Sequence, residues 1–340
     1  MLDSNQLYEL KKVLSQPRNI VVIPHKNPDG DAIGSTLGLS QILRKMVHQV
    51  QVVTPNDFPK FLKFLPQAKK VLNGDFNPKG AEKAIKKADI IFMLDFNEPS
   101  RADYLGEFIN QSNAVKVLID HHQFPQTVDF TYSDSSMPAT CEMVWHLIEA
   151  MGWEKLMDAD IANCLYTGIL TDTGNFRFPS VKPSTLETGA KLMKHGAEPF
   201  RILDQLDTFT ESRLKILGTF VNSLERFPEY RTAIFKLNKE QLEANEYQKG
   251  DTDGFVNYGL ALEDTVLSVF FAEDTQKDFV KISFRSKGDF DCSEIARDHF
   301  NGGGHKNASG GKSNQSLEDT VKEFVNLLPT YAEKLENTVV

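Results

Sequence analysis

Aspartate and histidine residues concentrate at four places in the first half of the chain, each directly beyond an apolar segment. The first is HKNPDGD, the second is the aspartate after IIFML, the third is DHH after VKVLI, and the fourth is the aspartate of TGILTDTGNF, in a loop rich in glycine and threonine. The residues concerned are His25, Asp29, Asp31, Asp95, Asp120, His121, His122 and Asp172. Carboxylates and imidazoles hold divalent metal ions or transfer protons, so these side chains are the candidates for chemistry.

Each place has a plain structural explanation when it is taken alone. An aspartate after a strand often caps a helix or stabilises a turn, which applies to Asp31 and to Asp95. A histidine pair at a strand end is more often structural than a ligand. Together, however, four element ends that should meet at one edge of a sheet all carry oxygen or imidazole ligands. That convergence favours a metal site.

The ligand types narrow the choice of ion and of reaction. Carboxylate and imidazole without thiolate favour Mn²⁺, with Mg²⁺, Fe²⁺, Co²⁺ or Zn²⁺ as alternatives. The set is large enough for two ions that share one carboxylate. Two metals about 3.5–4 Å apart hydrolyse phosphoesters, because one activates a water and both neutralise the phosphoryl oxygens.

The elements that must position these residues alternate along the chain, which predicts an α/β fold with a parallel sheet covered on both faces. Predicted helices lie at 4–14, 32–46 and 79–87, and helical patterns continue from 139 to 170. Predicted strands lie at 19–24, 49–54, 89–94 and 115–119. Ligands bind at the carboxyl ends of the strands in open sheets of this kind.

The second half of the chain has a different pattern, which indicates a second domain. Strands are predicted at 230–237, 266–272 and 279–284, and helices at 291–300 and 317–335, which gives a smaller α/β domain with a mixed sheet. We expect a first domain at 1–190, a helical linker at 191–215 and a second domain at 216–340. An active-site cleft between the two domains is the working model.

Composition excludes several classes of protein. The chain has 340 residues with 40% hydrophobic and 25% charged residues, which is typical of globular proteins. No segment predicts a membrane span or a signal peptide, so a cytoplasmic protein without membrane contact is expected. Its three cysteines form no CxxC pair, which favours buried thiols over disulfides or zinc. The net charge of −9 argues against binding long duplex nucleic acid, although a short nucleic-acid ligand stays compatible.

A glycine-rich segment, FNGGGHKNASGG, lies near the far end of the chain. Consecutive glycines let backbone N–H groups approach an anion, and His305 could donate to a phosphate. The alternative is a flexible hairpin loop. The segment is not a GxGxxG motif after a first strand, so it does not indicate a dinucleotide fold.

These motifs resemble those of the DHH phosphoesterase superfamily. The resemblance implies a first metal held by His25, Asp29 and Asp95, and a second held by Asp31, Asp95, His121 and Asp172. It also implies that His122 lies beside the scissile phosphate and that Asp120 orients the neighbouring histidine. Arg101 matches an arginine that the family uses near the active site, the alternative being a surface helix residue.

The second half resembles the DHH-associated C-terminal domain. Arg285 and Ser286, in SFRSKG, match a phosphate or nucleotide contact of that domain. The glycine-rich segment matches its substrate-binding motif, with Gly302, Gly303, Gly304 and His305. The two-domain architecture is similar to the nanoRNase and pAp phosphatase group.

The resemblance implies a phosphoesterase with two divalent metal ions, Mn²⁺ first and Mg²⁺ or Co²⁺ as alternatives. Its substrates would be oligoribonucleotides of about two to five residues, or 3′-phosphoadenosine 5′-phosphate (pAp), because holding the far end of a substrate measures its length. Rivals are a linear dinucleotide (pGpG or pApA) phosphodiesterase, a polyphosphate hydrolase and a non-catalytic nucleotide sensor. A longer-DNA exonuclease like RecJ is disfavoured by the acidic chain. A homodimer is left open.

Overall fold

The computed structural model of the protein describes residues 2–248 and 250–340. The chain divides into two compact units, one ending at Thr208 and the other beginning at Phe209. In the described part of the chain, no helix is both long enough and apolar enough to span a membrane. The functions proposed for 1–190, 191–215 and 216–340 stay predictions.

The first unit is built on a parallel sheet of six strands in the order β3-β2-β1-β4-β5-β6. The strands are β1 (Asn19–Ile23), β2 (Gln49–Thr54), β3 (Leu72–Asn73), β4 (Ile90–Leu94), β5 (Val115–Asp120) and β6 (Phe130–Ser133). The central strand β4 is apolar along its whole length and all five of its residues are buried, because helices cover both faces of the sheet.

Eight α-helices accompany this sheet within the described residues. They are α1 (Ser4–Val13), α2 (Gly30–Lys45), α3 (Pro78–Lys87), α4 (Leu105–Gln111), α5 (Thr140–Met151), α6 (Ala159–Asp172), α7 (Pro183–Lys194) and α8 (Pro199–Leu206). Short 3₁₀ turns lie at Lys60–Leu62, Ala68–Lys70, Pro99–Ala102 and Glu154–Leu156. Helices α3 and α4 pack with the β1 side chains Val21 and Ile23, whereas α2, α5 and α6 pack with those of Ile20 and Val22 on the other face.

Helix α2 is the most buried helix of this unit, and every residue from Gly30 to Leu43 is buried. It lies against α5 and α6, and two of its glycines make the close approach possible. A Cβ atom at Gly34 would be 2.4 Å from the carbonyl oxygen of Cys164, and one at Gly38 would be 2.7 Å from the side chain of Leu165. The three helices therefore pack tightly against one another. The start of α2, the start of α5 and the end of α6 carry Asp31, Thr140 and Asp172.

The second unit has a mixed six-stranded sheet in the order β11-β12-β10-β9-β8-β7, in which β8 and β9 are parallel and the other pairs are antiparallel. The strands are β7 (Glu225–Phe227), β8 (Thr232–Leu237), β9 (Leu267–Glu273), β10 (Val280–Ser286), β11 (Gly303–His305) and β12 (Ala308–Ser313). The helices are α9 (Glu211–Asn222), α10 (Lys239–Ala244), α11 (Asn257–Leu260), α12 (Cys292–His299) and α13 (Leu317–Glu336), with a 3₁₀ turn at Pro228–Tyr230.

Alternation along the strands gives this sheet two apolar faces. Phe271 and Phe284 pack with α12 and α13, whereas Phe235 and Phe270 pack with Phe220 of α9. All three cysteines of the chain are buried and free. The predicted fold class, a parallel sheet followed by a smaller unit with a mixed sheet, is confirmed.

One local prediction was wrong. Asp172 is the last residue of α6 and does not lie in a loop, because the helical hydrogen bonds continue through TGILTD to Thr173. The glycine-rich segment, for which a flexible hairpin loop was the alternative interpretation, forms a β-hairpin. Residues 303–305 pair with 308–310 as an antiparallel hairpin, whose second strand also pairs with β10.

Candidate metal centre

Three neighbouring strands end beside the candidate ligands. Strand β1 ends at Ile23, two residues before His25, β4 ends directly before Asp95, and β5 ends at Asp120 itself. The chain leaves β1 toward β2 on one side of the sheet, whereas β4 and β5 lie on the other side. Such a change in direction opens a crevice at the carboxyl ends of the strands, where ligands bind in α/β sheets.

The first turn of α2 supplies two carboxylates with different roles. Asp29 is the N-cap, and its Oδ1 accepts hydrogen bonds from the backbone N–H groups of Asp31 and Ala32, both at 3.1 Å. The cap role that the sequence left open for Asp31 therefore belongs to Asp29. Asp31 lies in the first turn and is fully buried. Its side chain points away from its own helix end and toward the start of α5.

Asp95 stands at the centre of the cluster and has an unusual backbone. Its φ is +66°, in the left-handed region that residues other than glycine, asparagine and aspartate rarely adopt. Its N–H still donates to the carbonyl of Ile119 at 3.0 Å, so the turn begins while the sheet pairing continues. This turn directs the buried carboxylate across the ends of β1 and β5.

The structure brings the predicted ligands together in overlapping groups. In each group the potential ligand atoms lie within 4.8 Å of one another: His25, Asp29 and Asp95; Asp31, His121 and Asp172; and Asp95, His121 and His122. Asp95 lies between the others, with Oδ2 3.5 Å from His25 Nε2 and Oδ1 3.4 Å from His121 Nε2. Asp172 Oδ2 is 3.5 Å from the same nitrogen of His121.

Backbone carbonyls orient the imidazole rings. Nδ1 of His25 is 2.8 Å from the carbonyl of Lys26, and Nδ1 of His121 is 3.2 Å from the carbonyl of Met137. A carbonyl only accepts, so each Nδ1 carries the proton and donates it. The Nε2 atoms consequently face the carboxylates, which is the orientation that a metal-binding histidine needs.

The electrostatics of the cluster fit a cation. Burial disfavours the charged form of His25, but the negative charges of Asp95 and Asp29 outweigh this effect and raise the pKa of His25 to about 9. The pKa of His121 is raised in the same way, by Asp95, Asp172 and Asp31. Burial would raise the pKa of Asp95, yet hydrogen bonds from both histidines hold it well below the usual range. Burial and the neighbouring carboxylates raise the pKa of Asp31 and of Asp172. Protons thus supply the positive charge that a divalent ion would supply through the same atoms.

Asp120 and His122 form a separate pair at the rim of the cluster. Asp120 is fully buried, and its Oδ1 is 2.7 Å from His122 Nδ1. The predicted orienting contact of Asp120 is thus made to His122. His122 Nδ1 is also 3.9 Å from Asp95 Oδ1, and its side chain is 19% exposed. An oriented imidazole is thereby presented to solvent beside the ligand groups.

Sequence reasoning missed the start of α5. The backbone N–H groups of Thr140 and Cys141 donate to Oδ2 and Oδ1 of Asp31 at 2.5 and 2.8 Å, and the Thr140 hydroxyl donates to Asp95 Oδ1 at 3.0 Å. Asp31 therefore caps a helix more than 100 residues away in the chain. The sequence does contain one indication of this contact. Ala139 at the N-cap position has no side chain that could cap the helix, so the cap must come from another part of the chain.

Of the other predicted site residues, Arg101 belongs to the first unit and the rest belong to the second. The Arg101 side chain is exposed in a 3₁₀ turn, and its carbonyl accepts from the Lys26 N–H at 2.7 Å. In the second unit, the Ser286 hydroxyl donates to the carbonyl of Phe290 at 2.7 Å, and Arg285 Nη1 donates to that of Phe284 at 2.9 Å.

The three predicted glycines and His305 belong to the β11–β12 hairpin. Gly303 and His305 are exposed, and Gly304 has a φ of +147°. A Cβ atom at Gly302 would be 2.0 Å from the carbonyl of Gly310. Glycine at 302 is therefore required by the close approach of β12.

Comparison with known proteins agrees with this geometry. Residues 19–169 match the model of the DHH family N-terminal domain, and residues 237–334 match that of the DHHA1 domain. The chain is 34% identical over 303 residues to a bifunctional oligoribonuclease and PAP phosphatase NrnA of Thermus thermophilus, covering 89% of this chain and 86% of the relative. The protein of the same name in Bacillus subtilis is 28% identical over 308 residues, covering 89% and 91%.

A solved structure is similar over the same range. It is that of an exopolyphosphatase-related protein from Bacteroides fragilis, with 36% sequence identity and a TM-score of 0.95. The match covers 98% of each chain, so the two proteins share their fold over almost their whole length.

Proposed function

Because this chain belongs to the DHH family of phosphoesterases and carries a DHHA1 domain, we propose that it hydrolyses short oligoribonucleotides to mononucleotides and pAp to AMP. The observation that carries this proposal is the convergence of His25, Asp29, Asp31, Asp95, His121 and Asp172 at one edge of the parallel sheet. Two relatives that match most of the chain are named as bifunctional oligoribonuclease and PAP phosphatase, and these names support nucleotides, among phosphoesters, as the substrates.

We propose that the cluster holds two divalent ions. One would be held by His25, Asp29 and Asp95, and the other by Asp31, Asp95, His121 and Asp172. The ions would supply Lewis acidity and an activated water for attack on phosphorus. The oxygen and nitrogen ligands favour Mn²⁺, with Mg²⁺ or Co²⁺ as alternatives.

The protein's own groups account for the rest of the reaction. Thr140 and the N–H groups at the start of α5 hold Asp31 and Asp95 in place. His122, oriented by Asp120, would stabilise the negative charge that develops on a phosphoryl oxygen. We also propose that the enzyme acts in the cytoplasm.

We assign recognition of the non-reacting end of the substrate to Arg285, Ser286, the glycines 302–304 and His305, and a supporting role to Arg101. Arg285→Ala tests this assignment. Hydrolysis of a dinucleotide should fall much more than hydrolysis of a bare activated phosphodiester. An equal loss on both compounds would contradict the recognition role.

The experiment that tests the function is product chromatography after incubation with Mn²⁺ and, separately, pApA, pAp, a long RNA and inorganic polyphosphate. We expect rapid release of mononucleotide from pApA or of AMP from pAp, with the long RNA cut slowly. Asp95→Asn is the control without turnover, and asparagine suits this position because it tolerates positive φ.

Other outcomes identify other functions. Turnover of pApA with neither pAp nor the long RNA cut at all would indicate a linear dinucleotide phosphodiesterase. The name of the Bacteroides fragilis relative makes polyphosphate the second candidate, and phosphate release from polyphosphate alone would select it. Absence of metal-dependent turnover on every compound would favour a nucleotide sensor.

A further inference from the structure

An exposed phenylalanine lies two residues beyond His122. The side chain of Phe124 is 87% exposed. Two residues of chain span at most about 7 Å, so the Cα atom of Phe124 lies within that distance of the Cα atom of His122. Phe76 and Phe200 are similarly exposed, at 80% and 82%, but neither has a positive φ.

The backbone at Phe124 is held in an unfavourable conformation. Its φ is +58°, which is rare for a bulky residue. Asn97 fixes the loop from two directions. Its Nδ2 donates to the carbonyl of Gln123 at 2.8 Å and to that of Phe124 at 3.4 Å, and its own carbonyl accepts from the Gln126 N–H at 2.8 Å. Strain that neighbouring groups enforce is typical of functional sites.

Phe124 lines a shallow, open cavity of about 480 Å³. The cavity is also lined by His122, Gln123, Pro125, Ser133, Asp134 and Ser135. The wall around Asp134 is anchored to the metal centre. The Asp134 N–H donates to the carbonyl of Asp120 at 3.2 Å.

The charge of the cavity indicates what it accepts. The Ser136 hydroxyl and N–H donate to Asp134 Oδ1 at 2.6 and 3.0 Å and lower the pKa of Asp134, so this carboxylate is ionised at neutral pH. This carboxylate disfavours a phosphate beside it, although the Lys182 ammonium group, which donates to the Ser136 hydroxyl at 2.9 Å, offsets part of its charge. A flat, uncharged ring with N–H donors on its edge would stack on Phe124 and donate to Asp134, and a nucleobase has this chemistry.

We propose that Phe124 stacks on the base of a nucleotide adjacent to the phosphate at the metal centre and so determines substrate specificity. This inference rests on the proposed function and adds a specificity residue to it. The stacked base positions the phosphodiester at the metal centre. The enzyme therefore prefers substrates that carry a base over other phosphoesters.

The test compares the wild type with Phe124→Ala and Phe124→Trp on three substrates in Mn²⁺. These are pApA and two forms of pApA in which one base or the other is replaced by hydrogen. Phe124→Ala should raise KM for pApA by about 5- to 150-fold, the range expected for one stacked base. It should leave KM unchanged for the one abasic form that lacks the stacked base. Phe124→Trp should retain wild-type values.

Phe76→Ala is the matched control, because it removes another exposed ring of the same unit and should change none of these values. Quenching of 2-aminopurine in the dinucleotide on binding is a second readout, and it should be lost in Phe124→Ala alone. Equal KM changes on all three substrates, or no change on pApA, would overturn the inference. Absence of wild-type turnover on all of them would instead reject the proposed function, while quenching by the wild type would still report on stacking.

Discussion

At the scale of single residues, charges in the centre are divided between groups that a metal would bind and groups that orient them. Asp95 and Asp31 belong to the first kind. Asp120 belongs to the second, because it is fully buried and is directed at Nδ1 of His122. Its Oδ2 has no hydrogen-bond partner among the described residues, so the contact with His122 is the side-chain hydrogen bond that holds this carboxylate.

Replacement of Asp120 by asparagine tests the orienting role. The amide keeps the shape but loses the charge that fixes the proton on His122 Nδ1, so kcat should fall about 10- to 100-fold. Titration calorimetry should still show wild-type affinity for Mn²⁺. A kcat unchanged by Asp120→Asn would contradict the role, and a matching loss of Mn²⁺ affinity would move Asp120 into the ligand set.

Glu142 is a buried carboxylate outside the reaction. Neither of its oxygens has a hydrogen-bond partner among the described residues, and His146 Nε2 is 3.9 Å away. Burial raises the pKa of Glu142, although Ser184 and Thr185 nearby offset part of this rise. Burial also lowers the pKa of His146, so that imidazole is neutral and does not compensate the charge.

Glu142→Gln should therefore stabilise the protein at neutral pH. A carboxyl whose folded-state pKa is raised loses stability as pH rises from its ordinary value of 4.5 through the folded value. The free energy of unfolding of Glu142→Gln should exceed that of the wild type by about 1 kcal/mol at pH 7, and the difference should vanish below pH 4.5. Denaturant unfolding at both pH values measures it. A variant less stable than the wild type at pH 7 would show that the charged form is favoured.

At the scale of elements, the centre depends on how closely α2, α5 and α6 pack. Gly34 and Gly168 let the three backbones approach. A Cβ atom at Gly168 would be 2.2 Å from Cys141 Sγ and 2.8 Å from Asp31 Oδ1. This packing brings Asp31, Thr140 and Asp172 together from three different helices.

Gly34→Ala should separate these helices. The added methyl would meet the backbone carbonyl of Cys164 at 2.4 Å, so we expect a loss of about 1–3 kcal/mol in unfolding free energy and weaker Mn²⁺ binding. Gly218→Ala is the comparison. That glycine is exposed in α9 with no atom within 4 Å of its Cβ position, so alanine should stabilise by up to about 1 kcal/mol. Unchanged stability of Gly34→Ala would contradict the packing argument.

The predictable elements are those in which local pattern and tertiary environment agree. Strands β1, β2, β4 and β5 are segments of strand length rich in branched apolar residues, and the sequence predicted each of them within about a residue at either end. Strand β3 has only two residues, and β12 reads ASGGKS, so pairing with neighbours makes them strands against their local preference.

The site shows the same division. Its ligands are visible in the sequence because their types and strand-end positions are local features. Thr140 and Asn97 were missed because their roles depend on contacts across the fold, with Asp95 in one case and with the Phe124 loop in the other. Such contacts leave only a weak trace, such as a helix start without a capping side chain.

At the scale of the whole molecule, stability is coupled to the charge of the centre. In the absence of metal, protonated His25 compensates the buried carboxylates, and its pKa is raised from 6.5 to about 9. Such a group stabilises the fold below its unfolded pKa, and this stability is lost as pH rises through the folded value. The raised pKa values of Asp31 and Asp172 act in the same direction.

We therefore expect the midpoint temperature of thermal unfolding in EDTA to decrease as the pH is raised from 6.5 to 9. Mn²⁺ should raise this midpoint more at pH 8 than at pH 6, because the metal competes with protons for the same atoms. Differential scanning calorimetry with and without Mn²⁺ measures both. Asp95→Asn should abolish the Mn²⁺ effect. A midpoint that rises with pH in EDTA, or one that is indifferent to Mn²⁺, would contradict the assignment.

The division of the chain at Thr208 also bears on synthesis at the ribosome. Every pairing of the parallel sheet lies between Asn19 and Ser133, and the last candidate ligand is Asp172, so nothing in this sheet or ligand set awaits the second unit. Domains fold as units with the N-terminal one first, at a translation rate of about 5–20 residues per second. The first unit thus has seconds in which to fold, and its ligand set is complete before the hairpin at 303–313 has left the ribosome.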